Sequence, residues 1–169
     1  MEPQDGHDGP YAAPVKLATQ QVKPGWIDYN GHMNVTYYTM AFDNAIDAFL
    51  AQELGMGEAH AARVRQGPYS LQNNVSYFAE LLEGADFRVQ VLLVDHDEKR
   101  MHLFMQMLNG AGGLAATCEA MLMNVDHTTR RATPYAGWIQ KRLASMQASH
   151  DALPRPKGLG AQIGIRRKE

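Results

Sequence analysis

Apolar positions change period twice along the chain. Between Ala13 and Val22 they alternate weakly, with Val15, Leu17 and Thr19 on one side, which predicts a first strand over 13–22. From Val35 the period lengthens. Val35, Tyr38, Phe42, Ala45, Ile46, Phe49, Leu50 and Leu54 recur at helical spacing, and Asp43, Asn44 and Asp47 fall between them. Gly55 and Gly57 follow as terminators. The pattern predicts a helix of roughly five turns over 35–53.

After the helix the period returns to two. Leu71, Asn73, Val75 and Tyr77 alternate with polar or small neighbours, and so do Phe87, Val89, Val91 and Leu93 beyond a turn at Glu83-Gly84. DHDEKR at 95–100 predicts a hairpin into a strand over 101–108. NGAGG at 109–113 predicts a second hairpin, being rich in residues that tolerate positive φ, and 114–125 reads as a long last strand. Trp138, Ile139, Leu143 and Met146 predict a short C-terminal helix, followed by the Pro/Gly-rich and basic PRPKGLGAQIGIRRKE.

Tight turns between successive strands imply antiparallel neighbours. One helix cannot cover two sheet faces. The expected architecture is therefore α+β: a curved antiparallel sheet of about five strands wrapped around one long central helix, with dimerisation hiding exposed sheet. Residues 1–12 read as a flexible lead, 13–150 as the folded domain and 151–169 as a basic tail.

Composition narrows the classes. A chain of 169 residues suits one domain, and a net charge of -2 offers no overall basic field for nucleic acid or an anionic membrane. Cys118, the single cysteine, excludes an internal disulfide and fits a reducing compartment. The acidic, polar start lacks a signal-peptide pattern, and no apolar run approaches the ~20 residues of a membrane span, so the expectation is a cytoplasmic protein.

The chemistry concentrates in WIDYNGHMNV, residues 26–35, between the first strand and the helix. Asn34 is placed as an N-cap whose side-chain oxygen receives an N–H from Thr36 or Tyr37. First-turn amides then point toward the loop with partial positive charge. Backbone donors of this kind polarise a carbonyl and hold a developing oxyanion, while a carboxylate such as Asp28 attacks the carbonyl or activates water. His32 has three readings: it orients Asp28, binds substrate, or closes the turn. Asn30 is either ordinary turn chemistry or a substrate-positioning group.

Asp28, Asn30, Gly31, His32 and Asn34 match, position for position, the loop of the hotdog-fold acyl-CoA thioesterases, which commonly reads D-x-x-G-H-V-N-N or D-x-N-x-H-V-N. The chain thus resembles the 4-hydroxybenzoyl-CoA thioesterase-like and acyl-carrier-protein thioesterases over about 13–147. YNGHMNVTYYTMAFDNAIDAF and LLVDHDEKRMHLFMQM are similar to the betainyl-CoA thioesterases of carnitine breakdown, some fused to carnitine dehydrogenase. The resemblance implies a homodimer or homotetramer that hydrolyses a short acyl-CoA. It implies no cofactor beyond the coenzyme A of the substrate, and Asp28 and His32 as the catalytic pair.

A betainyl group carries a quaternary ammonium, which aromatic faces recognise. Some of the rings Trp26, Tyr29 and Tyr77 are then expected to form a cage near Asp28. The resemblance also implies site residues from the segment after the helix, where Asn73 and Asn74 stand and no second Glu or Thr presents itself. Asn73, on the apolar-alternating face, needs a hydrogen bond there. CoA phosphates call for cations: Lys99, Arg100 and His102 lie at one hairpin, and Arg155, Lys157, Arg166, Arg167 and Lys168 in a tail with enough apolar content to fold over the CoA site or a neighbouring subunit.

Two alternatives compete. A non-catalytic acyl-CoA binder needs no carboxylate at position 28. An enoyl-CoA hydratase typically separates Asp from His by one more residue in a Pro-containing loop, and Asp28-YNG-His32 has neither feature. Asp28 and His32 alone supply too few ligands for a metal, and the histidines at 60, 96, 102, 127 and 150 show no metal-site spacing. No basic face or stacking motif supports nucleic-acid binding.

Overall fold

The computed structural model describes residues 6–165 and 167. Two short strands, β1 (Val15–Lys16) and β2 (Gln20–Gln21), precede helix α1 (Val35–Phe49), which runs on through one π-helical turn over Leu50–Leu54. A short helix α2 (Glu58–Val64) leads into four long strands: β3 (Gln66–Tyr77), β4 (Asp86–His96), β5 (Arg100–Asn109) and β6 (Leu114–Asp126). Strand β7 (Arg131–Ala132) and helix α3 (Gly137–His150) close the order. The antiparallel sheet runs β1-β4-β5-β6-β3, with β2 also on β4 and β7 on β6. This is the hotdog arrangement.

Helix α1 forms where its sequence pattern requires. Tyr38, Ala41, Phe42, Ala45, Ile46 and Phe49 are buried on one face, and Asp43, Asn44 and Asp47 are exposed on the other. Alternate residues of the sheet face it: Val89, Val91 and Leu93 of β4, Leu103, Met105 and Met107 of β5, and Ala116, Cys118 and Ala120 of β6 are all 2% exposed or less. At the end of the π-helical turn Gly55 takes φ 71°, a left-handed conformation that a residue with Cβ adopts only under strain.

Several elements depart from the sequence pattern. The single strand expected over 13–22 is two short pieces on the edge of β4, at Val15↔Val91 and Gln20↔Phe87. With the short β7 added on β6, the sheet among the described residues has seven strands rather than about five. Gly57 does not end the long helix but caps α2, which the pattern did not predict. β3 begins at Gln66, five residues before Leu71. The C-terminal helix has 14 residues, buried along Ile139, Leu143 and Met146. Residues 7–11 are packed rather than loose. His7 Nε2 pairs with Glu53 Oε2 at 2.9 Å, Arg142 Nε donates to Asp8 Oδ1 at 2.8 Å, and Tyr11 is 5% exposed.

The two sheet edges differ. Beyond β1, α3 covers β4. The Leu93 amide donates to His150 Nδ1 at 2.9 Å, His150 Nε2 donates to the Ala12 carbonyl at 2.9 Å, and Gln147 Nε2 donates to the Val94 carbonyl at 3.2 Å. At the far edge, β3 pairs only with β6 among the described residues, through eleven of its twelve residues, Leu71 bulging out. No helix among the described residues is long and apolar enough to cross a membrane.

Candidate active site

The loop before α1 is a closed turn. The Gly31 amide donates to the Asp28 carbonyl at 3.0 Å and the Asp28 amide to the His32 carbonyl at 3.0 Å. Ile27 and Met33 form a bridge across its base. Gly31 sits at φ 82°, which this turn needs and side chains resist. Two further bonds fix the turn in the fold: Asn34 amide to the Trp26 carbonyl at 2.9 Å, and Met33 amide to the Leu81 carbonyl at 2.8 Å.

Asn34 caps α1, its Oδ1 accepting from the Thr36 amide at 2.9 Å. The Tyr37 amide donates to the Asn34 carbonyl at 2.9 Å. Four amides open a helix without helical partners. Three of them, from Asn34, Thr36 and Tyr37, are therefore engaged, which narrows the expected set of first-turn donors to Val35.

Asp28 is 15% exposed, and its Oδ1 accepts from the Asn30 amide at 2.8 Å. Its Oδ2 lies 3.9 Å from His32 Nε2, in ion-pair range but beyond a direct hydrogen bond. The other His32 nitrogen, Nδ1, meets Glu80 Oε2 at 3.2 Å. Each ring nitrogen faces one carboxylate, Nδ1 toward Glu80 and Nε2 toward Asp28. The imidazole is thus held between two carboxylates.

His32 and Glu80 border an open cleft of about 270 Å³, lined also by Met33, Val35, Tyr38, Tyr77, Phe78 and Ala79. Tyr77 meets Tyr38 edge-on at 5.2 Å, and the Tyr38 hydroxyl accepts from the Leu81 amide at 3.0 Å. Burial raises the Tyr38 phenol above its ordinary value, so the ring serves the site as a neutral, packed wall. Cys118 is buried on the face toward α1, and burial pushes its thiol up to about 12, which disqualifies it as a nucleophile.

The structure gathers only some of the expected residues. Of the expected residues His32 and Tyr77 line the cleft; Asp28 lies behind His32, 3.9 Å from its Nε2, and Asn34 caps the helix beside it, neither of them lining the cleft. Trp26 does not line the cleft: it is 9% exposed and stacked on Tyr37 at 5.3 Å, because a large ring there completes the core beside Phe87. Tyr29 is 96% exposed at the tip of the turn, and Asn30 is exposed beside it. Of the three rings weighed for a cage, Tyr77 stands at the cleft and Trp26 and Tyr29 do not; the rings at the cleft are Tyr38, Tyr77 and Phe78. Asn73, opposite Ala120 on the free-edge strand, is exposed and escapes the expected desolvation cost.

The expected CoA cations are not at the cleft. Tyr77 pairs with Ala116, which pairs with Met107; Arg100 stands at the other end of β5, seven residues or about 23 Å away. Each is also engaged by an acid. Arg100 Nη2 reaches Asp97 Oδ2 at 2.6 Å, Lys99 Nζ reaches Glu98 Oε1 at 3.3 Å, and His102 Nε2 meets Glu119 Oε1 at 2.8 Å. The described part of the tail does not line this cleft either; residues 153–162 lie against the outer face of the sheet. Arg166 and Lys168 lie outside the described residues. Sequence reasoning missed Glu80, whose partner is 48 residues away and whose segment carries no motif. Among the described residues no group of three or more His, Cys, Asp or Glu is arranged to hold a metal ion.

A hotdog sheet with an aspartate and a capped helix mouth at its open corner defines a class, and comparison with known proteins gives the same class. The model of the thioesterase-like superfamily matches residues 22–143, and the chain belongs to that superfamily. A betainyl-CoA thioesterase of Pseudomonas aeruginosa is 33% identical over 145 residues, covering 85% of this chain and 91% of the relative. An L-carnitine dehydrogenase/betainyl-CoA thioesterase of Rhizobium meliloti is 28% identical over 157 residues, 92% of this chain but 31% of that longer protein. A Staphylococcus aureus protein solved in complex with CoA superposes with a TM-score of 0.83 at 28% identity, covering 92% of this chain and all of the other.

Proposed function

We propose that this protein is an acyl-CoA thioesterase that hydrolyses betainyl-CoA, or a close cationic analogue, to the free acid and CoA. The observation that carries the reading is the corner itself: Asp28 at the mouth of α1, beside a cleft walled by Tyr38, Tyr77 and Phe78 and edged by Glu80. Three aromatic rings and a carboxylate suit a quaternary ammonium, which offers no hydrogen-bond donor and is recognised by π faces and negative charge. The similarity to betainyl-CoA thioesterases supports the same substrate, and the CoA-bound relative supports CoA as the carrier.

In this reading the Asp28 carboxylate drives attack on the thioester carbonyl. It either takes a proton from the attacking water or forms an acyl-aspartyl anhydride that water then cleaves. Charge developing on the carbonyl oxygen is held by the Val35 amide and the positive end of α1. The C–S bond breaks and CoA departs as thiolate, a leaving group that needs little acid assistance. His32, held by Glu80, keeps its Nε2 toward Asp28 and so orients the carboxylate. Single turnover in ¹⁸O-water tests for the anhydride: label appearing in Asp28 marks water attack on an acyl-aspartyl intermediate.

The free β3 edge supports a dimer in which two β3 strands pair antiparallel and extend the sheet. Tyr77, Phe78 and Leu82, 48%, 59% and 50% exposed, lie where a second copy would cover them. Place of action in the cytoplasm fits a CoA ester as substrate. A panel of acyl-CoA esters assayed for released thiol tests the function. Betainyl-CoA is expected to exceed acetyl-CoA and the neutral isostere 3,3-dimethylbutyryl-CoA in kcat/KM. Hydrolysis of no ester would replace the enzyme with an acyl-CoA-binding protein.

A further inference from the structure

Residues 151–161, which follow α3, stay on the molecule. They cross the outer face of the sheet, the face turned away from α1. Leu153 and Pro154 stand with Leu92 of β4 and Phe104 of β5 around one cleft of about 380 Å³. Further on, the Gly160 amide donates to Glu119 Oε2 of β6 at 2.6 Å, and Asn74 Nδ2 of β3 donates to the Ala161 carbonyl at 2.8 Å. Glu119 is braced from its other oxygen by His102. The path therefore follows the strand order β4, β5, β6, β3 and arrives at the uncovered edge.

Beyond Ala161 the chain carries large apolar side chains in water. Ile163 is 99% exposed and Ile165 87%. Residues 162–165 span up to about 13 Å when extended. Strands lie about 4.8 Å apart, so that length crosses the first two strands of any sheet continuing past β3. The edge is built for such a continuation, with twelve residues of β3 exposing Tyr69, Leu71 and Tyr77.

We propose that the C-terminal tail is an inter-subunit strap: Ile163 and Ile165 of each chain dock on the outer sheet face of a second copy, across the β3 edge. The proposal rests on the edge-to-edge dimer described above. It gives the two isoleucines a burial that their own chain does not supply. It also explains why the polar hold on the tail, through Glu119 and Asn74, is placed at the strands nearest that edge.

Three chains are compared by sedimentation velocity over a dilution series: full length, a chain ending at Ala161, and full-length I163N/I165N, with circular dichroism confirming the fold of each. The strap predicts that both altered chains raise the dimer dissociation constant by about tenfold or more. In parallel, Ile163→Cys labelled with benzophenone maleimide is photolysed; Cys118 is buried, which directs the label to position 163. The expected product has the mass of two chains. A full-length dimer with the same dissociation constant in all three forms, or a label that reacts only within its own chain, overturns the strap and leaves the dimer standing. A full-length chain that stays monomeric overturns both.

Discussion

His32 Nδ1 lies 3.2 Å from Glu80 Oε2, so that the imidazole turns its other nitrogen toward Asp28. The pair is solvent-facing, 37% and 64% exposed, and so contributes no more than ~1 kcal/mol to folding. Its value is orientation of the ring. Glu80→Gln is therefore expected to leave the melting temperature within about 2 °C of wild type while lowering kcat about tenfold, with His32→Gln lower still. Losses confined to KM in both variants would show that neither group acts on the reacting carboxylate.

Selectivity for the cationic acyl group is assigned to the rings at the cleft. Tyr77→Leu is expected to lower kcat/KM for betainyl-CoA about tenfold more than for 3,3-dimethylbutyryl-CoA, which has the same shape without the charge. Tyr29→Leu, altering a ring that is 96% exposed, is expected to change neither ratio. Equal losses on both esters in the Tyr77 variant would reduce that ring to packing.

Asn34 caps α1. Asn34→Ala removes the acceptor for the Thr36 amide and is expected to cost about 1 kcal/mol, or roughly 2–4 °C in melting temperature for a domain of this size. Asn34→Asp keeps an acceptor and is expected to retain most of that stability. Thermal denaturation of both checks the assignment.

Acid sensitivity is built into buried histidines. Burial lowers the pKa of both His60 and His150 below the ordinary 6.5. In His150 the Nδ1 lone pair accepts from the Leu93 amide, and protonation would end that bond. A depressed folded-state pKa means that the unfolded chain binds protons first as pH falls. The stability these residues contribute is complete above pH 6.5 and declines as pH drops from there toward the folded-state values, by up to ~1.4 kcal/mol per pH unit for each proton. Urea midpoints measured from pH 7.5 to 5 are expected to fall below 6.5. A flat profile would contradict neutral burial.

The parts legible in the sequence are those whose signal is local. Helix α1 announced itself through the spacing from Tyr38 to Phe49, its cap through Asn34, and the hairpins through DHDEKR and NGAGG. What escaped depends on contacts between distant segments. Trp26 looked like a substrate ring because it adjoins the motif, but the core beside Phe87 claims it. Glu80 gave no sign because its role exists only once the end of β3 returns to the loop. Lys99 and Arg100 matched the charge of CoA phosphates, yet the strand register carries them to the opposite end of the sheet. Gly57 read as a stop because a terminator and an N-cap look alike in sequence.

The central claim is that Asp28 is the reacting carboxylate of a betainyl-CoA thioesterase. Asn at position 28 keeps the size of the side chain and an acceptor for the Asn30 amide while removing the charge. Steady-state release of CoA from betainyl-CoA, with wild type and Asp28→Asn side by side at matched stability, is the direct test. The expected result is a fall in kcat of about 10²–10⁴-fold with KM changed little. Turnover in Asp28→Asn equal to wild type would contradict it.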